Sequence, residues 1–302
     1  DQWGQKTFDP ERFPNPKEMT DKLHENNAHF MISIWPNMRE GTDNYREFSE
    51  QQLLLPASEI YDAFNPKARE LYWKQAREGL FDKGVDAWWC DSCEPFTPEW
   101  GRQMKPEPSA MYHEFADTAS KYLPQDRMNA YGLAHAQAVY EGQRGTGSGK
   151  RVVNLTRNTY TGGQRYGVIL WSGDTYASWE TLKRQIRAGL NFCASGFPYW
   201  TLDIGAFFVR KGTQWFWNGD YNEGTADLGY RELFTRWFQY GVFLPVFRSH
   251  GTDFRREIWQ FGEEGEPFYE ALKAAVQLRY RLLPYIYSWA GKVWKDDSTM
   301  MR

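Results

Sequence analysis

The chain has 302 residues, a net charge of −3 and a hydrophobic fraction of 41%. This length suits one α/β barrel or two ordinary domains, and the apolar content is sufficient for a substantial core. The charge leaves no basic footprint for nucleic acid, and no run of about 18 apolar residues is present that would span a membrane.

Aromatic residues make up 18% of the sequence, with 15 tryptophans. Aromatic faces stack on the C–H faces of sugar rings, so this composition suits a carbohydrate site, although a tryptophan-rich core would explain it equally well. Cys90, Cys93 and Cys193 are an odd number of cysteines, which argues against a disulfide framework and favours a cytoplasmic location. Cys90 and Cys93 lie three residues apart, but the sequence shows neither the two further ligands that a metal site would need nor the thioredoxin-like setting of a redox motif.

Strand-like and helix-like segments alternate along the chain. The segment 28–35 is apolar and ends at Pro36, as a buried parallel strand does. Asn65 and Pro66 then supply an N-cap and a first-turn proline for a helix, and Gly84 ends that helical region. Strands are predicted at 28–35, 85–90, 152–155, 167–171, 197–202 and 242–247, and further helices at 127–141, 178–192, 228–240 and 267–290.

This alternation indicates a parallel sheet, either doubly wound or closed into a barrel. The sequence contains no Gly-x-Gly-x-x-Gly fingerprint and no Walker loop, which disfavours a nucleotide-binding fold. Asp91, Asp174, Asp203 and His250 all follow predicted strand ends, where barrels carry their catalytic groups. We therefore predict an α/β fold of the (β/α)8 TIM-barrel type, truncated on its N-terminal side, with about six strands present and two expected before Asp1.

Two segments deliver a carboxylate to the end of an apolar strand. Asp91 follows the strand 85–90, with Glu94 three residues later, and Asp174 follows Gly173. A lone aspartate after a strand more often caps a loop, but two carboxylates from different strand ends suit the acid/base and nucleophile chemistry of glycoside hydrolysis. Retaining enzymes hold the pair about 5–5.5 Å apart and inverting enzymes about 6.5–9.5 Å apart, a distance that the sequence does not fix.

Short motifs then occur in one order along essentially the whole chain. They are FDPERFPNP (8–16), ISIWP (32–36), DAFNPKAR (62–69), DAWWCDSCEP (86–95), LTRNTYTGGQRYG (155–167), WSGDTYASW (171–179), GFPYWTLDIGAF (196–207) and FRSHG (247–251). Together they resemble glycoside hydrolase family 31, the α-glucosidase and α-xylosidase family. The similarity is greatest to its bacterial α-xylosidase subgroup.

This resemblance implies that Asp91 is the nucleophile and Asp174 the general acid/base. Arg157 matches the arginine beside the sugar and the acids, and Arg248 is expected to pair with a site acid. Glu94 would have a structural or electrostatic role. The residues that line the first sugar subsite would be Trp35, Trp171, Trp200, Asp203 and His250. The resemblance implies no metal and no cofactor.

The implied function is a retaining, exo-acting α-glycosidase that hydrolyses a terminal α-xyloside or α-glucoside through a covalent glycosyl-enzyme. Cys90 before the nucleophile, and Ser92 and Cys93 after it, depart from the subgroup pattern and leave the exact sugar open. The alternatives are a transglycosylase of the same family, for which Trp215 and Trp217 would supply acceptor contacts, a lyase, and a non-catalytic carbohydrate-binding protein.

Both ends of the sequence look like cuts in a longer protein. We therefore expect residues 1–302 to be an incomplete catalytic barrel, with the flanking β-domains of the family outside this chain. The expected partner is an oligosaccharide or glycoside substrate, with no nucleic acid and no membrane. The oligomeric state cannot be read from the sequence.

Overall fold

The computed structural model describes residues 2–94, 108–212 and 217–301. Within this part of the chain, two compact units form. The first contains residues 2–94 and 109–170, and the second contains residues 171–212 and 217–301. Trp215 and the segment 95–98 after the predicted nucleophile lie outside the described residues.

The first unit is built on parallel strands that alternate with helices. The strands, in sheet order, are β1 Met31–Ile34, β2 Ala87–Cys90, β3 Asn154–Thr156 and β4 Val168–Trp171, of which the last residue, Trp171, is counted with the second unit. Each neighbouring pair is parallel, which confirms the predicted orientation. The helices are α1 Pro16–Glu25, α2 Asp43–Glu50, α3 Pro66–Gly79, α4 Pro108–Ala119 and α5 Tyr131–Gly145.

Helix α3 begins where the sequence predicts. The Asn65 side chain accepts a hydrogen bond from the backbone N–H of Lys67 at 3.0 Å, and Pro66 occupies the first turn. Helices α1, α2 and α4 were not among the predicted helices; α1 buries only Thr20, and α2 buries only Asn44 and Phe48.

An aromatic cluster beside α3 and α5 forms part of the core of the first unit. The rings of Tyr61 and Tyr72 stack with centroids 4.4 Å apart, and His135 meets Tyr72 edge-on at 5.0 Å. Tyr61 Oη and His135 Nδ1 are hydrogen-bonded at 2.8 Å, while Tyr131 donates to the Tyr61 carbonyl at 2.7 Å. These polar atoms are paired inside the core, as their burial requires.

The second unit contains β5 Trp200–Thr201, α6 Trp179–Ala194, α7 Leu228–Gly241 and α8 Pro267–Asp296. The predicted helices are confirmed, and α8 extends past the predicted end. No helix in the described ranges has both the length and the apolar character needed to cross a membrane.

The predicted strand at 242–247 is wrong, because the structure forms turns and bends there. Val242 and Leu244 are buried, which explains the apolar pattern. Their carbonyl groups accept hydrogen bonds from the Arg279 guanidinium of α8 at 2.8 and 2.5 Å, and the Pro245 carbonyl does so at 3.0 Å. The proline also lacks the N–H that a central strand needs.

The packing of α5 on α3 predicts an asymmetry between two glycines of α5. A Cβ at Gly142 would lie 2.1 Å from the Trp73 ring, whereas a Cβ at Gly145 meets nothing within 4 Å. Gly142→Ala should therefore lower the free energy of unfolding by about 1–3 kcal/mol. Gly145→Ala, the control, should leave it unchanged or raise it by up to about 1 kcal/mol. Urea unfolding of both variants measures this, and equal stability would contradict the observed packing.

Candidate active site

In the first unit, one arginine lies beside two carboxylates at the strand ends. Asp91 directly follows β2 and Arg157 directly follows β3, and the parallel register places Cys90 opposite Thr156. Arg157 Nη1 lies 3.3 Å from Asp91 Oδ1. Arg157 Nε donates to Glu94 Oε2 at 3.2 Å, and its Nη2 donates to Glu94 Oε1. Parallel pairing thus brings the predicted nucleophile and the predicted arginine into contact.

The residue after Asp91 has an unusual backbone. Ser92 adopts φ = 50°, in the left-handed region that costs a non-glycine residue roughly 1–2 kcal/mol. Its N–H donates to Asp91 Oδ1 at 2.7 Å, and its hydroxyl accepts from Arg157 Nη2 at 2.9 Å. These bonds offset the backbone cost and orient the Asp91 carboxylate.

The two cysteines that flank this turn are buried and free. The Cys93 thiol donates to the Cys90 carbonyl at 3.0 Å, closing the turn that contains Asp91. Burial raises the pKa of Cys93 well above its ordinary value, so the thiol keeps the proton that it donates. The three-residue spacing of the two cysteines therefore allows the hydrogen bond that stabilises the turn.

Trp35 follows β1, the strand next to β2. Its ring stacks on Trp3 with centroids 4.7 Å apart and planes inclined by 18°. The Trp35 carbonyl accepts from Tyr72 at 2.8 Å. The residue is half-buried, so part of the indole remains exposed to solvent.

In the second unit, a buried carboxylate follows β5. Asp203 is 0% exposed, and Arg248 Nη2 donates to its Oδ1. The predicted pairing of Arg248 with a site acid is thus confirmed. Among the described residues, Asp203 Oδ2 has no hydrogen-bond partner. Burial raises the pKa of Asp203 to about 7; Arg248 opposes this shift and the neighbouring charge of Asp174 adds to it.

Asp174 lies on a segment that is tied to the residues after β5. Gly173 before it adopts φ = 74°, a conformation that favours glycine. The Thr175 carbonyl accepts from the N–H groups of Phe207 and Phe208 at 3.0 and 2.9 Å. Together with the electrostatic effect on Asp203, these contacts bring two of the predicted site acids into one cluster.

His250 and an unpredicted arginine complete this cluster. The His250 ring lies 5.5 Å from the Phe207 ring, and its pKa is lowered to about 4 by burial and by the charges of Arg248 and Arg256. Arg256 is 8% exposed and donates to the Phe207 and Thr252 carbonyls at 3.0 and 3.1 Å. Sequence reasoning missed Arg256, because its polar neighbourhood reads as an exposed loop.

The tryptophans of the second unit differ in their surroundings. The Arg248 guanidinium lies 5.8 Å from the Trp171 ring centroid. Trp200 instead contacts α6, with its ring 5.5 Å from Phe192, and is 4% exposed. Trp217 stacks on Phe208 at 4.6 Å. Trp171, itself 2% exposed, thus lies beside Arg248 of the Asp203 cluster, whereas Trp200 packs against α6, and the roles of both in substrate binding stay predictions.

Parallel strands that alternate with helices, with acids and arginines after the strand ends, are features of the α/β barrel class of enzymes. The chain matches the model of the glycosyl hydrolases family 31 TIM-barrel domain over residues 1–289. It belongs to this family, which confirms both the resemblance and the predicted fold class.

Relatives of known name agree with this assignment. The α-xylosidase of Saccharolobus solfataricus is 38% identical over 300 residues, which cover 99% of this chain and 38% of that protein. The crystal structure of an α-xylosidase of this family from Xanthomonas citri aligns with a TM-score of 0.82 at 36% identity, over 99% of this chain and 33% of the other. An α-glucosidase of Saccharolobus solfataricus is 30% identical and is covered to 43%. The chain thus spans about a third to two fifths of these proteins.

The shifted groups of the second unit predict opposing effects of pH on stability. The pKa of His250 falls from 6.5 to about 4 on folding. Its contribution to the free energy of unfolding is therefore present above pH 6.5 and is lost as the pH falls towards 4. The pKa of Asp203 rises from 3.8 to about 7 on folding. Its stabilising contribution is therefore present at low pH and is lost as the pH rises to 7.

His250→Asn should therefore reduce the fall in Tm between pH 6.5 and pH 4, because the variant lacks the imidazole that titrates in this range. Asp203→Asn should steepen it, since the opposing titration is gone. His113→Asn, at an exposed position of α4, serves as the control and should leave the slope unchanged. Thermal unfolding across this pH range measures the effect, and slopes that change in the reverse directions would refute the assigned shifts.

Proposed function

We propose that the full protein is a retaining, exo-acting glycoside hydrolase that removes a terminal α-linked sugar, and that this chain is an incomplete part of its catalytic barrel. The observation that carries the proposal is the contact of Asp91 with Arg157, at 3.3 Å, at the carboxyl ends of adjacent parallel strands. A neighbouring guanidinium favours the ionised carboxylate, which is the form that a nucleophile requires.

In the proposed mechanism, Asp91 attacks the anomeric carbon while Asp174 protonates the departing glycosidic oxygen. The resulting glycosyl-enzyme is then hydrolysed by a water molecule that Asp174 deprotonates. Two inversions at the same carbon retain the α configuration. Two carboxylates are sufficient for this chemistry, so the proposal includes no metal and no cofactor.

The polar cluster of the second unit supports a role in sugar recognition. Arg248 holds one oxygen of the buried Asp203 carboxyl group, while Oδ2 lacks a partner among the described residues and would accept a bond from a sugar hydroxyl. His250 is neutral near pH 7, since its pKa is about 4, and a neutral imidazole can donate one N–H. We assign Trp35, Arg157, Trp171 and Trp200 to the same subsite on the family resemblance.

We propose an α-xyloside as the preferred substrate, with an α-glucoside second. The names of the relatives from Saccharolobus solfataricus and Xanthomonas citri support this order. The full-length protein should show a higher kcat/KM on p-nitrophenyl α-xyloside than on p-nitrophenyl α-glucoside. Proton NMR should detect the α-anomer first; a β-anomer appearing first would contradict retention. Products longer than the substrate would favour the transglycosylase alternative.

The roles of the two acids are separable by azide rescue. With a 2,4-dinitrophenyl glycoside, departure needs little acid assistance, so Asp174→Ala should form the glycosyl-enzyme but hydrolyse it slowly. Azide needs no deprotonation and should restore turnover, giving the α-glycosyl azide. General acid/base assistance contributes roughly 10²–10⁴-fold, so the rescue should be easily measured.

Asp91→Ala is the matched control for this experiment, because it lacks the proposed nucleophile and forms no covalent intermediate. Any azide product from Asp91→Ala should have the β configuration. An α product from Asp91→Ala together with a β product from Asp174→Ala would reverse the two assignments.

A further inference from the structure

Two histidines and a buried aspartate meet on the first unit, away from Asp91. Among residues 2–94, 108–212 and 217–301, His24, His29 and Asp86 form a group whose potential ligand atoms all lie within 4.8 Å of one another. His24 lies in the last turn of α1, His29 follows α1, and Asp86 directly precedes β2. Two chain segments, residues 24–29 and the residue before β2, thus meet at one point.

Asp86 is anchored before any ligand binds. Its Oδ2 accepts the N–H of Phe30 at 2.9 Å and lies 2.7 Å from His24 Nε2, and its Oδ1 accepts from Lys150 at 2.7 Å. These three contacts hold the carboxylate in one position.

We propose that His24, His29 and Asp86 bind a divalent transition metal ion of the Zn²⁺ type. Imidazole nitrogen and carboxylate oxygen are the donors that Zn²⁺ takes together in proteins, at about 2.0–2.2 Å, so ligand atoms in a tetrahedral site stand about 3.3 Å apart. His24 Nε2 and Asp86 Oδ2 are 2.7 Å apart, and His29 Nδ1 and Asp86 Oδ1 are 3.7 Å apart. Asp86 supplies one oxygen to the ion, and the potential ligand atoms of the three residues already lie within 4.8 Å of one another. Rotation of the two histidine side chains would bring both nitrogens to about 3.3 Å from that oxygen and from each other.

The side chains that must move are free to do so. The His29 side chain is 81% exposed and that of His24 is 31% exposed, while the anchored Asp86 is 9% exposed. The metal replaces the proton between His24 and Asp86, and water fills the remaining position. Lys150 opposes metal binding, because it is positively charged and already donates to Asp86 Oδ1. Its ammonium group also lies 5.8 Å from the Phe81 ring, so Lys150 could keep this second contact if the ion displaced it from Asp86.

The position of this site predicts an effect on stability. Asp86 and Asp91 lie at opposite ends of β2, and the five residue steps between them correspond to roughly 16 Å of strand. A bound ion would connect the end of α1, the loop between α1 and β1, and the start of β2. Binding to the folded state alone raises Tm with metal concentration and leaves the chemistry at Asp91 untouched.

The test is isothermal titration of the metal-free full-length protein with Zn²⁺ at pH 7.5, paired with thermal unfolding. We expect His29→Asn and His24→Asn to weaken binding about tenfold or more, because even loss of a supporting residue costs 10–100-fold in affinity. Lys150→Gln should tighten binding, since it removes the competing charge. Zn²⁺ should raise the Tm of the native protein and not that of His29→Asn.

His113→Asn is the control, because it removes an exposed histidine elsewhere and should leave affinity unchanged. Without metal, His29→Asn should unfold at the same temperature as the native protein, which separates loss of a ligand from loss of folding. Asp86→Asn is avoided, since Asp86 holds Phe30 and Lys150 in the fold. The proposal is overturned if both histidine variants bind Zn²⁺ as tightly as the native protein, or if Lys150→Gln weakens binding.

Discussion

The Arg157 guanidinium is the constraint on which the predicted nucleophile depends. It contacts Asp91 and Glu94 at once and donates to the Ser92 hydroxyl, so one planar group sets the geometry of the whole turn after β2. The planar fork of arginine offers five N–H donors, and a lysine ammonium in its place would not reach three acceptors in this fixed arrangement. The cationic charge also offsets the repulsion between two carboxylates that are only three residues apart.

The second unit uses buried arginines in a similar way. Arg248 pairs with Asp203, and Arg256 ties the Phe207 carbonyl to that of Thr252. Both cations also disfavour a charge on His250. The cluster therefore contains a neutral imidazole and a carboxyl group with a pKa of about 7, and both groups feel the charge of Arg248.

Local sequence patterns predicted the helices and strands whose buried residues recur at a regular spacing. The ends of the strands before Asp91 and Arg157 and the helix cap at Asn65 depend on residues close in sequence, so the sequence alone predicted them. The segment 242–247 was mistaken for a strand: its first N–H groups bond to carbonyls three or four residues earlier, and the carbonyls of Val242, Leu244 and Pro245 accept from Arg279, more than 30 residues away. Long-range packing has no local signature.

The candidate site residues divide in the same way. The family motifs predicted Asp91, Asp174, Asp203 and His250 as site residues. Arg256 was missed, because an arginine in a polar stretch reads as a surface residue until its burial is known. The group of His24, His29 and Asp86 is likewise invisible in the sequence, since about 60 residues separate Asp86 from the two histidines and only the fold joins them.

The Cys93 thiol has a consequence for how this protein responds to its chemical surroundings. Alkylating agents and peroxides attack the thiolate, and reaction also needs access to the sulfur. Cys93 is 0% exposed, its proton is donated to the Cys90 carbonyl, and its raised pKa leaves almost no thiolate at neutral pH. The turn that carries Asp91 is thus shielded from covalent damage although a sulfur atom lies within it, and reagents that label cysteines would report unfolding of this turn.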